Sequence, residues 1–148
     1  MNSFFDQSND FVTNSYMQYD GDSNLTVMYI GSNMGNYGSS ALFETRFIPE
    51  IRNFIWASAI RKDIIHATVT NANRTHLQRL NIFQTNKTIT LSRFIASLAA
   101  GAEVSKVFHK GHRNDFRTSS LSWSSTTLHE NLDNEFDTIV SYTVQSMP

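Results

Sequence analysis

Every lysine and arginine of this chain falls between residues 46 and 117. Residues 44–117 hold all 12 basic side chains against Glu44, Glu50, Asp63, Glu103 and Asp115, a net +7. Residues 1–43 carry Asp6, Asp10, Asp20 and Asp22, and residues 118–148 carry Glu130, Asp133, Glu135 and Asp137, with no lysine or arginine in either stretch. The overall charge of −1 therefore hides a basic middle between two acidic ends. Three arrangements satisfy such a charge map. The ends can fold back on their own middle, or dock on the middle of another copy in electrostatically guided self-assembly. Alternatively, the middle neutralises the phosphates of a polyanion. Most of the basic residues are arginine, whose planar fork suits phosphate and carboxylate, so contact is favoured over mere solubility.

The chain is long enough for one domain with a real core, and its 40% hydrophobic and 12% aromatic content exceeds that of a disordered chain. The absence of cysteine excludes a disulfide framework, a thiolate metal site and a cysteine nucleophile. No apolar run approaches about 18 residues, so no membrane span is expected. The start, MNSFFDQSNDF, lacks the basic and apolar regions of a secretory signal, so an intracellular location, cytoplasmic or virion-associated, is expected. The triplets at Asn24, Asn73 and Asn86 match the glycosylation pattern but arise readily by chance in a chain rich in Asn, Ser and Thr.

Residues 1–23 are polar yet hold Phe4, Phe5, Phe11, Tyr16, Met17 and Tyr19. They read as an extended acidic arm that packs on its own chain or a neighbour's, and residues 24–148 read as a single α+β domain. NLTVMYI (24–30) alternates and is rich in strand formers. GSNMGNYGSS (31–40) reads as a loop without the lysine of a phosphate-binding loop. ALFETRFI (41–48) starts as a helix, and Pro49 opens a longer one, PEIRNFIWASAIRKDII (49–65). That helix is apolar nearly all round, as expected of one central to the core or sandwiched between core and partner. HATVT (66–70) reads as a short strand. NRTHLQRLNIF (73–83) reads as a short helix with Leu77 and Leu80 inward and Arg74 and Arg79 outward. TLSRFIASLAAGAEVSKVFHK (90–110) reads as the second main helix, with Gly101 inside it. SSLSWSSTTLHE (119–130) and FDTIVSYTVQ (136–145) read as strands of a hairpin. The expected fold class is α+β, with antiparallel strands from the N- and C-terminal parts packed on two main central helices.

The stretch VFHKGHRNDF (107–116) gathers two histidines, a lysine and an arginine around Gly111. Read plainly, it is a helix end: Lys106, His109 and Lys110 complement the negative terminus and Gly111 closes it. Arg113 and Arg117 continue the positive run beyond that end, so an anion-binding patch is the sharper reading. His109 and His112 could also serve as base and acid in metal-free phosphodiester cleavage, with Lys110 or Arg113 on the developing charge. Two histidines three apart with no third ligand are a weak zinc signal, and no metal or cofactor is expected.

The leading functional expectation is a non-enzymatic binding and self-assembly protein, comparable by analogy to small structural or accessory proteins of viruses. It would form homo-oligomers and touch nucleic acid, RNA in preference, through Lys106, His109, Lys110, His112, Arg113, Arg117, Arg74 and Arg79. Contacts with other proteins or copies would involve Phe4, Phe5, Trp56 and Ile60. The alternative is a protein-interaction factor that docks on a partner through the apolar helix 49–65. A metal-independent phosphodiesterase is the third reading.

Overall fold

The structure, a computed structural model, describes residues 14–31, 38–58 and 64–124. Its elements are, in order, β1 (Asn14–Tyr19), β2 (Asp22–Ile30), β3 (Ser39–Glu44), a 3-10 turn (Thr45–Phe47), α1 (Ile48–Ile51), β4 (Trp56–Ser58) and β5 (Ile65–Thr68). There follow α2 (Asn71–Arg79), β6 (Thr88–Thr90), α3 (Leu91–Ala100), β7 (Val107–His109), a second 3-10 turn (Thr118–Ser120) and β8 (Leu121–Trp123). The strands form three sheets, β1-β2-β3, β4-β5-β6 and β7-β8, and neighbouring strands within each run antiparallel. The fold is α+β, as the sequence predicts.

β1 and β2 are joined by Asp20-Gly21, both at positive φ (49° and 76°), which suits the right-handed twist of a tight hairpin. Residues 14–19 of the expected arm are thus extended and paired within their own chain, and Tyr16 packs against the core. The period-2 pattern of β2 then sets the two faces of the first sheet. Thr26, Met28 and Ile30 face inward with Ala41 and Phe43 of β3, all buried. Leu25, Val27 and Tyr29 face outward, opposite Glu44, Leu42 and Ser40.

The expected helix over 49–65 is absent. Pro49 does sit in a first helical turn, but α1 ends at Ile51, and the Asn53 amide donates back to the Pro49 carbonyl (3.2 Å). The chain then turns into β4, which pairs with β5 through Trp56–Ala67 and Ser58–Ile65. Ile51, Phe54 and Trp56 are buried while Ile55 and Ile64 are exposed. An apolar run does not distinguish a buried helix from a turn followed by a buried strand, and here the strand wins. The stretch 41–48, expected to start helical, is β3 and the 3-10 turn, with Ile48 opening α1.

α3 is shorter than expected over 90–110. Thr90 caps its start, accepting from the Arg93 N–H (3.4 Å), and Gly101 ends it in the left-handed conformation, φ 78°. Beyond Gly101 the Val104 N–H donates to the Ser97 hydroxyl (3.0 Å), folding the chain back on the helix, and residues 107–109 are strand. The buried stripe Leu91, Phe94 and Ile95 anchors α3, each side chain contributing about 1.5–3 kcal/mol by removal from water. Phe94 meets Phe54 edge-on at 5.1 Å and Trp56 at 5.8 Å, which places α3 against the α1–β4 turn. The short helix expected over 73–83 is α2, capped by Thr70, whose hydroxyl accepts from the Asn73 N–H (3.1 Å). Of the expected C-terminal hairpin, β8 is the described part, and 136–145 lies outside the described residues.

Candidate functional site

The outer face of the first sheet is not buried by the described chain. Met17 of β1 lies opposite Val27, and Tyr29 lies opposite Ser15 and Ser40. Met17, Tyr19 and Tyr29 are 59%, 45% and 47% exposed. Three strands therefore carry apolar residues on both faces, although the alternation of a half-buried strand normally puts polar residues outside.

One edge of this face is built up by residues 114–118, which run alongside β3. The Leu42 N–H donates to the Asn114 carbonyl (2.9 Å), and the Phe116 N–H donates to the Leu42 carbonyl (2.8 Å). The Asn114 side-chain amide donates to the Ser40 carbonyl (2.5 Å), and the Glu44 carboxylate accepts from the Thr118 N–H (3.0 Å) and hydroxyl (2.8 Å). The segment thus follows the free edge of β3 through a single parallel bridge, Leu42 to Asp115.

Sheet and segment enclose an open cleft of about 390 Å³ lined by Tyr19, Val27, Tyr29, Ser40, Leu42, His112, Asn114, Asp115 and Arg117. Arg117 grips Asp115 bidentately, Nε to Oδ1 at 2.9 Å and Nη2 to Oδ2 at 2.6 Å, and the Ser120 hydroxyl donates to Oδ2 at 2.8 Å. The Arg117 hydrogen bonds, helped by Ser120, hold the Asp115 carboxyl down at about 2 despite partial burial. His112 Nδ1 accepts from the Asn114 N–H (3.1 Å), which leaves Nε2 as the protonated nitrogen of the neutral ring. The cleft thus offers an aliphatic floor, two tyrosine rings and a rim with one locked ion pair.

The residues expected to bind nucleic acid are distributed over several elements. His112 and Arg117 line the cleft, and Lys110, His112 and Arg113 are exposed in the loop that leads into it. Lys106 is exposed between α3 and β7. His109 turns inward: its ring meets Phe116 edge-on at 4.8 Å, its Nδ1 is buried without a hydrogen-bond partner, and burial pushes its pKa down. It does not line the cleft, so the two histidines do not share one opening. Arg74 and Arg79 lie on α2, away from the cleft lining, and the Arg74 guanidinium ties the Gln84 (2.8 Å) and Asn86 (3.2 Å) carbonyls. Among the described residues, no three His, Asp or Glu side chains gather in a group that could hold a metal ion.

Of the expected interface residues, Phe4, Phe5 and Ile60 lie outside the described residues. Trp56 is 0% exposed, with its indole N–H donating to the Ile51 carbonyl (2.9 Å), so it is a core residue and offers no surface to a partner. The helix 49–65 does not exist as a docking helix. Sequence reasoning missed Tyr29, Asn114 and Asp115. The Asp-Gly pair between two alternating runs was the available signal for the hairpin that presents Tyr19 and Tyr29. No helix among the described residues is long and apolar enough to cross a membrane. Comparison of the chain with protein-family models, with curated proteins and with solved structures finds no match.

Proposed function

We propose that the chain is a non-enzymatic binding and self-assembly protein whose contact surface is the outer face of the first sheet and its cleft. One observation carries the reading: Met17, Tyr19 and Tyr29 stand exposed beside Val27 and Leu42 on a sheet whose other face buries Thr26, Met28, Ile30, Ala41 and Phe43. Exposed apolar patches rimmed by polar groups mark interaction sites. Tyrosine suits such a surface because one ring offers both apolar area and a polar tip at low entropic cost.

A second reading keeps the expected RNA contact. His112 shares the cleft with Tyr19 and Tyr29, Lys110 and Arg113 are exposed in the same loop, and a single strand could stack on the rings with its phosphates toward that loop. Asp20 and Asp22 adjoin Tyr19 in the β1–β2 turn and oppose phosphate, which ranks this reading second.

Light scattering over a range of protein concentrations, at low and high salt and with and without a short U-rich RNA, tests both. Association without RNA supports the first reading. A shift that needs RNA supports the second. A monomer at every concentration that ignores RNA refutes both.

A further inference from the structure

His109 closes β7 and stands at the root of the segment that edges β3. Its ring packs edge-on against Phe116 at 4.8 Å, and its Nδ1 is buried without a hydrogen-bond partner. Phe116 is itself buried, and its N–H donates to the Leu42 carbonyl (2.8 Å). The Leu42 N–H donates to the Asn114 carbonyl (2.9 Å), and the Glu44 carboxylate holds Thr118. One imidazole thus supports, through Phe116, the stretch that covers the main chain of Leu42 at the free edge of β3.

A neutral ring suits this place. It carries one N–H, so the unpartnered Nδ1 need only be a bare lone pair, whereas an imidazolium makes both nitrogens donors and adds a charge. A buried charged N–H without an acceptor costs far more than a lone pair without a donor. The surroundings return little of that cost. The charge of Asp115 and the main chain of His112 and Asp115 favour a protonated ring, but burial outweighs them, and Arg117 and Ser120 already hold the Asp115 carboxylate. The rest of the turn carries His112 and the cations Lys110, Arg113 and Arg117, which do not favour a further positive charge. β8, with Leu121 opposite His109, and the 3-10 turn before it hold no charged residue. α3 packs against β7, and its Arg93 is engaged by the Val104 carbonyl, Gln84 and Glu103.

We propose that His109 is an acid-released latch: neutral, it holds residues 110–118 on β3, and protonated, it leaves its place against Phe116, frees that segment and bares the main chain of Leu42. The device keeps a strand edge covered at neutral pH and exposes it in acid. It does not depend on what the outer face of the sheet contacts.

Amide hydrogen exchange of the full chain at pH 7.5 and 5.5, corrected for the intrinsic pH dependence of exchange, reads the latch residue by residue. The amides of Leu42, Phe116 and Thr118 should lose protection by up to about tenfold, the factor by which a histidine with the ordinary pKa of 6.5 favours its proton at pH 5.5. Those of Arg74 and Ile82, bonded within and beside α2, should keep theirs. His109→Phe fills the place with a ring that cannot charge, and should make protection at Leu42 and Phe116 independent of pH. His109→Gln, also uncharged, serves if the phenylalanine variant does not fold. His112 is the other histidine of this turn, and its Nδ1 accepts from the Asn114 N–H (3.1 Å). His112→Asn offers that N–H a side-chain oxygen that does not titrate, and should leave the pH response intact.

Equal protection at the two pH values overturns the latch. So does a response that survives replacement of His109 or vanishes in His112→Asn. A loss of the same size at every protected amide, Arg74 and Ile82 included, shows an effect on the whole fold and overturns a local release. A loss that begins only below about pH 4 belongs to the Asp115 carboxyl and overturns it as well.

Discussion

The side-chain amide of Asn14 pairs with the main chain of Trp56 as a neighbouring strand would: Nδ2 donates to the Trp56 carbonyl (2.9 Å) and the Trp56 N–H donates to Oδ1 (2.7 Å). Two backbone groups of β4 are thereby satisfied from β1, and the first sheet is tied to the second. Without the amide these groups lose their partner beside a fully buried residue. Asn14→Ala should therefore lower stability by about 1–3 kcal/mol in urea unfolding with an unchanged slope. Asn14→Asp keeps the acceptor, loses the donor and turns a carboxylate oxygen toward a carbonyl, so it should cost at least as much. A loss below about 0.5 kcal/mol in both variants would show that the pairing carries little.

The Arg117–Asp115 pair predicts an acid limb. The folded carboxyl lies at about 2 against an ordinary 3.8, mainly through the Arg117 hydrogen bonds. A depressed acid stabilises the fold fully above its unfolded value and loses that contribution as pH falls from about 4 to 2. Asp115→Asn should lower stability at pH 7 by about 1–2 kcal/mol, less than the full shift implies, because the Arg117 side chain is 40% exposed and water screens the pair. The difference from wild type should shrink through that acid window. A difference constant from pH 7 to pH 2 would refute the assignment.

His109 predicts a second limb of different origin. Burial lowers its pKa below the ordinary 6.5, against the opposing pull of hydrogen bonds to the His112 and Asp115 backbone and the Asp115 charge. A depressed base is resisted in the fold but protonates freely once unfolded, so its contribution falls as pH drops through about 6.5. His109→Phe keeps a ring against Phe116 and removes the orphaned Nδ1. Its melting temperature relative to wild type should rise between pH 7.5 and 5.5. An offset independent of pH would contradict this.

Gly101 separates conformation from packing. A Cβ at this position meets nothing within 4 Å, yet φ is +78°. Gly101→Ala should then cost about 1 kcal/mol through the left-handed backbone alone. Gly101→Asn, better suited to that conformation, should recover part of it. Equal stability of Ala and Asn at this position would argue that the backbone relaxes instead.

Local pattern made part of this fold legible. The alternation Leu25, Val27, Tyr29 against Thr26, Met28, Ile30 defines β2 and both its faces, and Leu77 marks the inward side of α2, while its cap Thr70 reads as the end of the preceding strand. Residues 49–65 misled because Ile51, Phe54 and Trp56 meet the core from a turn and a strand, which leaves no period to read. Gly101 was visible in the sequence, but only its positive φ shows that it ends the helix rather than interrupting it. The charge map located the basic loop, and His112 and Arg117 do line the cleft. The cleft itself depends on Asn114 and Thr118 bonding Ser40 and Glu44, pairs 74 positions apart, and no local periodicity encodes contacts at that separation.

Oxidative footprinting of the full chain, followed by mass spectrometry at increasing protein concentration and low salt, reports on the outer face whatever its occupant. Met17, Tyr19 and Tyr29 should be modified readily in dilute protein and become protected together as association sets in, while Phe83, exposed elsewhere on the surface, stays reactive. Association that leaves those three residues as reactive as in the monomer, with protection appearing instead at Phe83 or Phe108, would contradict the assignment of the first sheet as the contact surface.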